Sequence, residues 1–139
     1  MRRHWLYEFF LFGIAGTIGF VVDASVLQVG HFVFQINLVW SQLLAYFCAV
    51  YCTWIINRRL AFVHQATKTK GAEFGRYLIA TGFGFILNNG VYLLVIWQWA
   101  LTDRYPVVAV ALGSLAGMVF NFVAARGWVY GIKNRQASR

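Results

Sequence analysis

The chain has 139 residues, of which 60% are hydrophobic and only 12% are charged. An ordinary soluble protein carries about 25% charged residues, so this composition excludes a water-soluble globular fold. A single proline and only four acidic residues also exclude an acidic or disordered low-complexity segment. The composition therefore predicts a chain that lies in a lipid bilayer.

Long uncharged runs predict four membrane-spanning helices. A spanning helix needs about 20 apolar residues, and the runs place helices at about 9–30, 38–58, 76–99 and 106–128. No run alternates with a period of two, and a four-stranded sheet cannot close on itself in lipid, which excludes strands. We predict an all-α integral membrane protein in which residues 1–139 form a single transmembrane domain.

The basic residues predict the orientation of these helices. All lysines and arginines except Arg104 lie at the N-terminus, between the second and third helices, or at the C-terminal end. By the positive-inside rule, both termini and the middle loop are expected to be cytoplasmic. The net charge of +8 would then form a rim that faces anionic membrane lipids. We expect no nucleic-acid partner, because no soluble module is present that could bring the basic rim to a nucleic acid.

The two halves of the chain repeat each other. Residues 8–27 align without a gap with residues 73–92, and TWIINRRLAF from Thr53 aligns with NFVAARGWVY from Asn121 after a shift of three. The second alignment pairs Arg58 with Arg126. The first alignment contains seven identical pairs: Glu8 with Glu73, Phe9 with Phe74, Ile14 with Ile79, Ala15 with Ala80, Gly19 with Gly84, Phe20 with Phe85 and Val26 with Val91. The repeat predicts two parallel helical hairpins, related by a pseudo-twofold axis along the membrane normal.

The chain resembles the GtrA-like family, small four-helix membrane proteins of bacterial envelope polysaccharide synthesis. The resemblance covers about residues 7–131 and rests on FGIAGTIGFVVD in the first helix, NRRLAF and NFVAARGWVY ending the second and fourth, and a short basic middle loop. One departure is Ala125 and Gly127, where the first hairpin has Asn57 and Arg59. The family is often described as translocating bactoprenol-linked glucose, so the resemblance implies a role with polyprenyl-phosphate-linked sugars.

Polar side chains inside the spans are candidates for contact with a sugar. Asp23 is the only acid within a predicted span, and an intramembrane carboxylate usually marks a pathway or a ligand. Gln42 and Asn88 are expected at a similar depth, with Asn89 beside them, and carboxylate and amide groups suit sugar hydroxyls. We call Asp23, Gln42, Asn88 and Asn89 the polar belt. The alternative is that they form interhelical hydrogen bonds, with Asp23 neutral.

Arginines at the ends of the second and fourth helices are candidates for binding a phosphate. Arg58 and Arg126 are related by the repeat, with Asn57, Arg59, Asn121 and Arg76 close by in sequence or depth. A guanidinium offers paired donors to a phosphate and can reach the head-group level of the bilayer. The alternative is that these arginines only anchor the helix ends as part of the positive-inside pattern.

Three functions remain open at this point. We expect no enzymatic activity, cofactor or metal, because the sequence contains no nucleotide-binding loop, catalytic triad or metal-ligand pattern. The leading hypothesis is a flippase for a polyprenyl-phosphate-linked monosaccharide in the bacterial inner membrane, acting as a dimer or higher homo-oligomer. The alternatives are a non-transporting scaffold that recruits a membrane glycosyltransferase, and a small proton-coupled drug exporter.

Overall fold

The computed structural model describes residues 2–99 and 106–131. Within these ranges all regular structure is helical, and four helices are long and apolar enough to cross a membrane. The all-α, four-span prediction is confirmed. The chain divides into two compact units, Met1–Lys68 and Thr69–Arg139, which we call hairpin 1 and hairpin 2.

Hairpin 1 consists of helix α1 (Arg2–Gln28) packed against helix α2 (Leu38–Ile56). Each helix ends in a π-helical turn: π1 (Val29–Val33) follows α1, and π2 (Asn57–Ala61) follows α2. The helices are joined through Gln35, whose φ of 57° is in the left-handed region. Asn37 then begins α2, because its Oδ1 accepts a hydrogen bond from the backbone N–H of Val39 at 2.9 Å.

Hairpin 2 has the same construction. Helix α3 (Lys70–Gln98) packs against helix α4 (Pro106–Ala124), which ends in a third π-helical turn, π3 (Ala125–Val129). Proline at the first position of α4 suits a helix start, where its missing N–H is not needed. Residues 100–105, which connect the two helices, lie outside the described residues.

Two helices begin earlier than the hydropathy runs indicate. Helix α1 starts at Arg2 where the runs suggested residue 9, and α3 starts at Lys70 where they suggested residue 76. The added turns are rich in charged and polar residues, which are adequate helix formers but interrupt an apolar run. An apolar run therefore indicates only the part of a helix that suits the hydrocarbon core of the membrane, and the helix itself is longer.

Small residues let the two helices of each hairpin approach closely. In hairpin 1, a Cβ at Gly19 would overlap the side-chain methyl group of Thr53, and in hairpin 2 one at Gly84 would overlap the amide of Asn121. The sequence repeat aligns Gly19 with Gly84 and Thr53 with Asn121, so the same contact occurs twice. Large apolar side chains such as Phe20 and Phe85 point outward, as lipid-facing residues do. The contacts within each hairpin thus bear out the repeat.

Candidate functional site

The π turns π2 and π3 lie at corresponding ends of the two hairpins, which we call the basic ends. In π2 the N–H of Phe62 donates to the carbonyl oxygen of Asn57 at 2.8 Å, and in π3 the N–H of Tyr130 donates to that of Ala125 at 2.9 Å. The closing aromatic residue is buried in each case. Because π-helical turns occur frequently at functional sites, their repetition here marks the basic ends as candidate sites.

At the basic end of hairpin 1, Arg58 in π2 forms a hydrogen bond with the segment that follows this turn. Its Nη2 donates to the carbonyl oxygen of Thr67 at 2.7 Å, and its Cζ lies 5.8 Å from the centroid of the Trp54 ring. Glu8 on α1 accepts a hydrogen bond from Gln65 Nε2 through Oε1 at 3.0 Å. The guanidinium is therefore held in place by a carbonyl group and an aromatic face. Arg59, also predicted here, is exposed.

At the basic end of hairpin 2, Glu73 is fully buried and Arg126 is half-buried. Arg76, which is also half-buried, donates from Nη2 to the carbonyl oxygen of Val129 in π3 over a long 3.5 Å. Its Nε is buried and has no hydrogen-bond partner among the described residues. Helix α3 thus brings Arg76 to the turn that carries Arg126, and Glu73 lies about one helical turn before Arg76.

Of the remaining predicted site residues, Asn88 and Asn121 lie in the interface between α3 and α4. The side chain of Asn88 packs against the backbone at Gly113 and Gly117, where an added Cβ would meet its Oδ1 and its Cβ at 2.8 and 3.0 Å. Asn121 packs against Gly84, and its Oδ1 is buried without a hydrogen-bond partner among the described residues. Both amides therefore occupy space that a glycine on the facing helix leaves open.

The other members of the polar belt are more open. Asp23 is half-buried on α1, whereas Gln42 on α2 and Asn89 on α3 are exposed. Asn89 Nδ2 donates to the carbonyl oxygen of Phe85 at 2.8 Å, so this amide bonds to its own helix. Within each hairpin, the belt residues differ in burial and do not share one environment.

Sequence reasoning placed Arg76 near the predicted phosphate-binding residues but gave it no role of its own, and it did not select Glu8 or Glu73. The available signal for the two acids was the repeat itself, which aligns one glutamate with the other, although both lie outside the apolar runs. For Arg76 the signal was its predicted position beside the other basic residues at the cytoplasmic ends, since the repeat aligns it with Leu11 and not with an arginine. Its contact with Val129 is visible only once α3 and π3 are seen to pack together.

The fold and its basic ends define a multi-pass membrane protein made of two repeated helical hairpins. The model of the family described as GtrA/DPMS, transmembrane domain, matches residues 11–136, and the chain belongs to this family of glycosyl-carrier membrane proteins. The family is generally one of transporters or flippases and not of catalysts. Among curated proteins and solved structures, none matches the chain.

Proposed function

We propose that the protein is a flippase that moves a polyprenyl-phosphate-linked monosaccharide between the leaflets of the bacterial inner membrane, for modification of envelope polysaccharide. The observation that carries the proposal is the repeated basic end, where a half-buried arginine lies in a π turn at the end of a spanning helix. The family supports it, because glycosyl carriers are the class of substrate with which GtrA-like proteins are associated.

In this mechanism the arginines of the basic ends bind the phosphate of the carrier. Arg58 and Arg126 supply charge-assisted hydrogen bonds, with Arg59 and the Nδ2 group of Asn121 as additional donors. A guanidinium carries five N–H donors in a planar group, which lets Arg58 present paired donors to a phosphate. Phosphate binding at the head-group level would place the sugar next to the polypeptide while the prenyl chain stays in lipid.

The polar belt then replaces water around the sugar while it crosses. The carboxylate and amide groups of Asp23, Gln42, Asn88 and Asn89 form hydrogen bonds with the sugar hydroxyls. The sugar therefore does not enter the hydrocarbon region without hydrogen-bond partners. Direction would come from synthesis of the lipid on one face and its use on the other, or from proton coupling at Asp23. Because four helices are few to surround a glycolipid head group, we propose that the protein acts as a homo-oligomer, a dimer or larger.

The proposal is tested by reconstituting the purified protein in liposomes that carry a fluorescent prenyl-phosphate monosaccharide in both leaflets. A membrane-impermeant quencher then reports how fast the inner-leaflet lipid reaches the outside. The protein should accelerate this movement over protein-free vesicles, and it should not accelerate a phosphatidylcholine probe to the same degree. A folded protein that gives no acceleration would contradict the proposal.

Substitutions within this assay test the residue assignments. Arg58→Ala and Asp23→Ala should each slow movement by about tenfold, the effect of losing one hydrogen bond to a charged group. Lys68→Ala is the matched control for Arg58→Ala, because Lys68 is an exposed base in the same hairpin and has no role in the proposed transport mechanism. Equal rates for Arg58→Ala and Lys68→Ala would remove Arg58 from the binding site.

One observation favours a second candidate, a scaffold that recruits a membrane glycosyltransferase. The segment that follows π2 is ordered by the bonds from Arg58 to Thr67 and from Gln65 to Glu8, and it exposes Lys68. Such a fixed basic segment would suit docking of a partner enzyme. If this were the function, replacing Val63, His64 and Lys68 would abolish activity in cells, whereas Asp23→Ala would leave it unchanged.

A further inference from the structure

The two basic ends differ in charge because α3 carries an arginine that α1 lacks. The sequence repeat aligns Arg76 with Leu11, so this guanidinium is found only in hairpin 2. We propose that Arg76 and Arg126 together form a binding site for a singly charged phosphodiester at the basic end of hairpin 2. The inference rests on the proposed function for the identity of the lipid, but the site itself is argued from the contacts and charges of this hairpin.

Geometry brings the two arginines to the same turn. Arg76 Nη2 reaches the carbonyl oxygen of Val129, the last residue of π3, and Arg126 is the second residue of that turn. Both side chains are half-buried, so each is partly withdrawn from solvent yet keeps a reachable surface. A ligand seated against π3 from the side of α3 can therefore meet both guanidinium groups.

The hydrogen bonding of Arg76 is incomplete without a ligand. The bond to Val129 is long at 3.5 Å, and Nε is buried with no hydrogen-bond partner among the described residues. A partly buried cation with unsatisfied donors is unfavourable unless an anion compensates it. An anion bound at the other nitrogen atoms would compensate the delocalised charge of the guanidinium, although it would not reach the buried Nε.

The charge of hairpin 2 indicates what kind of anion fits. Glu73 is the only acid in residues 69–99 and 106–131, and it is fully buried at this end of α3. Among the partly or fully buried groups there, two guanidinium charges and one carboxylate charge leave one net positive charge, and Lys70, the other base in these ranges, is exposed to solvent. A phosphodiester carries one negative charge, so it balances the site, whereas a phosphate monoester or a diphosphate brings more negative charge than the site can balance.

Hairpin 1 supports the assignment by contrast. There the repeat places Leu11 at the position of Arg76, and Arg58 is already held by the carbonyl oxygen of Thr67 and the face of Trp54. The partly buried charges described at that end are one guanidinium, Arg58, and one carboxylate, Glu8, so their sum is zero. Hairpin 2 is therefore the half of the protein expected to hold the anion more tightly.

The experiment measures binding to the purified full chain in detergent, by native mass spectrometry and by a fluorescent lipid competition assay. The probes are a short-chain prenyl-phosphate glucose, the matching prenyl monophosphate, phosphatidylglycerol and inorganic phosphate. The variants are Arg76→Gln, Arg76→Lys and, as a matched control, Lys70→Gln. Lys70 lies on the same helix and is exposed, so Lys70→Gln removes one positive charge without touching the site.

The proposal predicts that Arg76→Gln weakens binding of the prenyl phosphodiester about tenfold, the loss of one charge-assisted pair, while Lys70→Gln changes it less than twofold. Arg76→Lys should bind with intermediate affinity, since it keeps the charge and loses the paired donors. Because Arg76→Gln could disturb packing, its helix content and elution volume are compared with those of the wild type, and Arg76→Lys provides the second test. Equal affinity of wild type, Arg76→Gln and Lys70→Gln would overturn the inference.

The probes separate this inference from the proposed function. Preference for the prenyl phosphodiester, lost on Arg76→Gln, supports both. Equal binding of phosphatidylglycerol, also lost on Arg76→Gln, supports the phosphodiester site but counts against a prenyl-linked substrate. Tighter binding of the monophosphate or of inorganic phosphate contradicts the charge argument. If the wild type binds prenyl phosphodiester and Arg76→Gln binds it equally, the site assignment fails while the proposed function stands.

Discussion

In hairpin 1, individual side chains stabilise the turn between α1 and α2, which lies at the end opposite the basic end. His31 Nδ1 lies 3.1 Å from the carbonyl oxygen of Ile36, and Ser41 Oγ donates to the same oxygen at 3.3 Å. The turn is short because Gln35 adopts a left-handed φ of 57°, which is uncommon for a residue other than glycine. Asn37 then caps α2. Each of these bonds limits the ways in which α2 can begin.

The cap residue gives a prediction at this scale. Asn37→Ala removes the acceptor for the N–H of Val39 and should lower the free energy of unfolding by about 1 kcal/mol. Asn37→Ser keeps a capping oxygen and should be close to the wild type. Thermal unfolding in detergent, followed by circular dichroism, measures both. If the two variants are equally stable, the cap does not contribute to the stability of hairpin 1.

Residue-level chemistry was only partly predictable from the sequence. Arg58 and Arg126 were identifiable because the repeat aligns them and positive charge collects at helix ends. Arg76 was recognisable only as a neighbouring base, since its bond to Val129 depends on α3 packing against π3, a contact between distant parts of the sequence. The environment of Asn88 likewise depends on Gly113 and Gly117 on the facing helix. The spacing of residues along one helix does not indicate which residues of the neighbouring helix they contact.

At the scale of the elements, the interface between α3 and α4 depends on glycines that admit the facing helix. A Cβ at Gly113 would lie 2.6 Å from the backbone oxygen of Asn88, closer than real contacts allow, and backbone cannot move aside as a flexible side chain can. Gly90, in contrast, has open space around the position of a Cβ. The two glycines therefore form a matched pair, one in the interface and one outside it.

Gly113→Ala should destabilise hairpin 2 by about 1–3 kcal/mol, the range expected for overpacking. Gly90→Ala should not lower stability, because alanine is the better helix former at an open position. The comparison is made by unfolding in detergent, with the elution volume as a check on folding. A loss of stability on Gly90→Ala as large as that on Gly113→Ala would contradict the proposed helix contact.

The four spanning helices were largely predictable from the sequence, but the residues at which they begin and end were not. Apolar runs identified all four spans because hydrocarbon requires them. The starts of α1 and α3 were missed because Arg2, Lys70 and Arg76 interrupt hydropathy without interrupting the helix. The π turns were also missed, since a change from α- to π-helical bonding leaves no composition signal. These turns carry Arg58 and Arg126, so the geometry of the candidate site lay beyond sequence reasoning.

At the scale of the whole molecule, the account depends on which face of the membrane each basic end meets. The distribution of lysine and arginine predicts that both basic ends, with Arg58 and Arg126, lie at the cytoplasmic face. Phosphate capture by these arginines requires that orientation, because a lipid-linked sugar made in the cytoplasm presents its head group there. If the hairpins were inserted in opposite senses, arginines of the two halves could not act on the same leaflet.

The most direct test is therefore cysteine accessibility in intact cells and in inverted membrane vesicles. Cys48 and Cys52 are first replaced by alanine, and single cysteines are then introduced at Lys68, at Thr102 and at Ser138. A membrane-impermeant thiol reagent should label position 102 only from outside, and positions 68 and 138 only in inverted vesicles. Labelling of 68 and 138 from opposite faces, or of any position from both, would contradict the account.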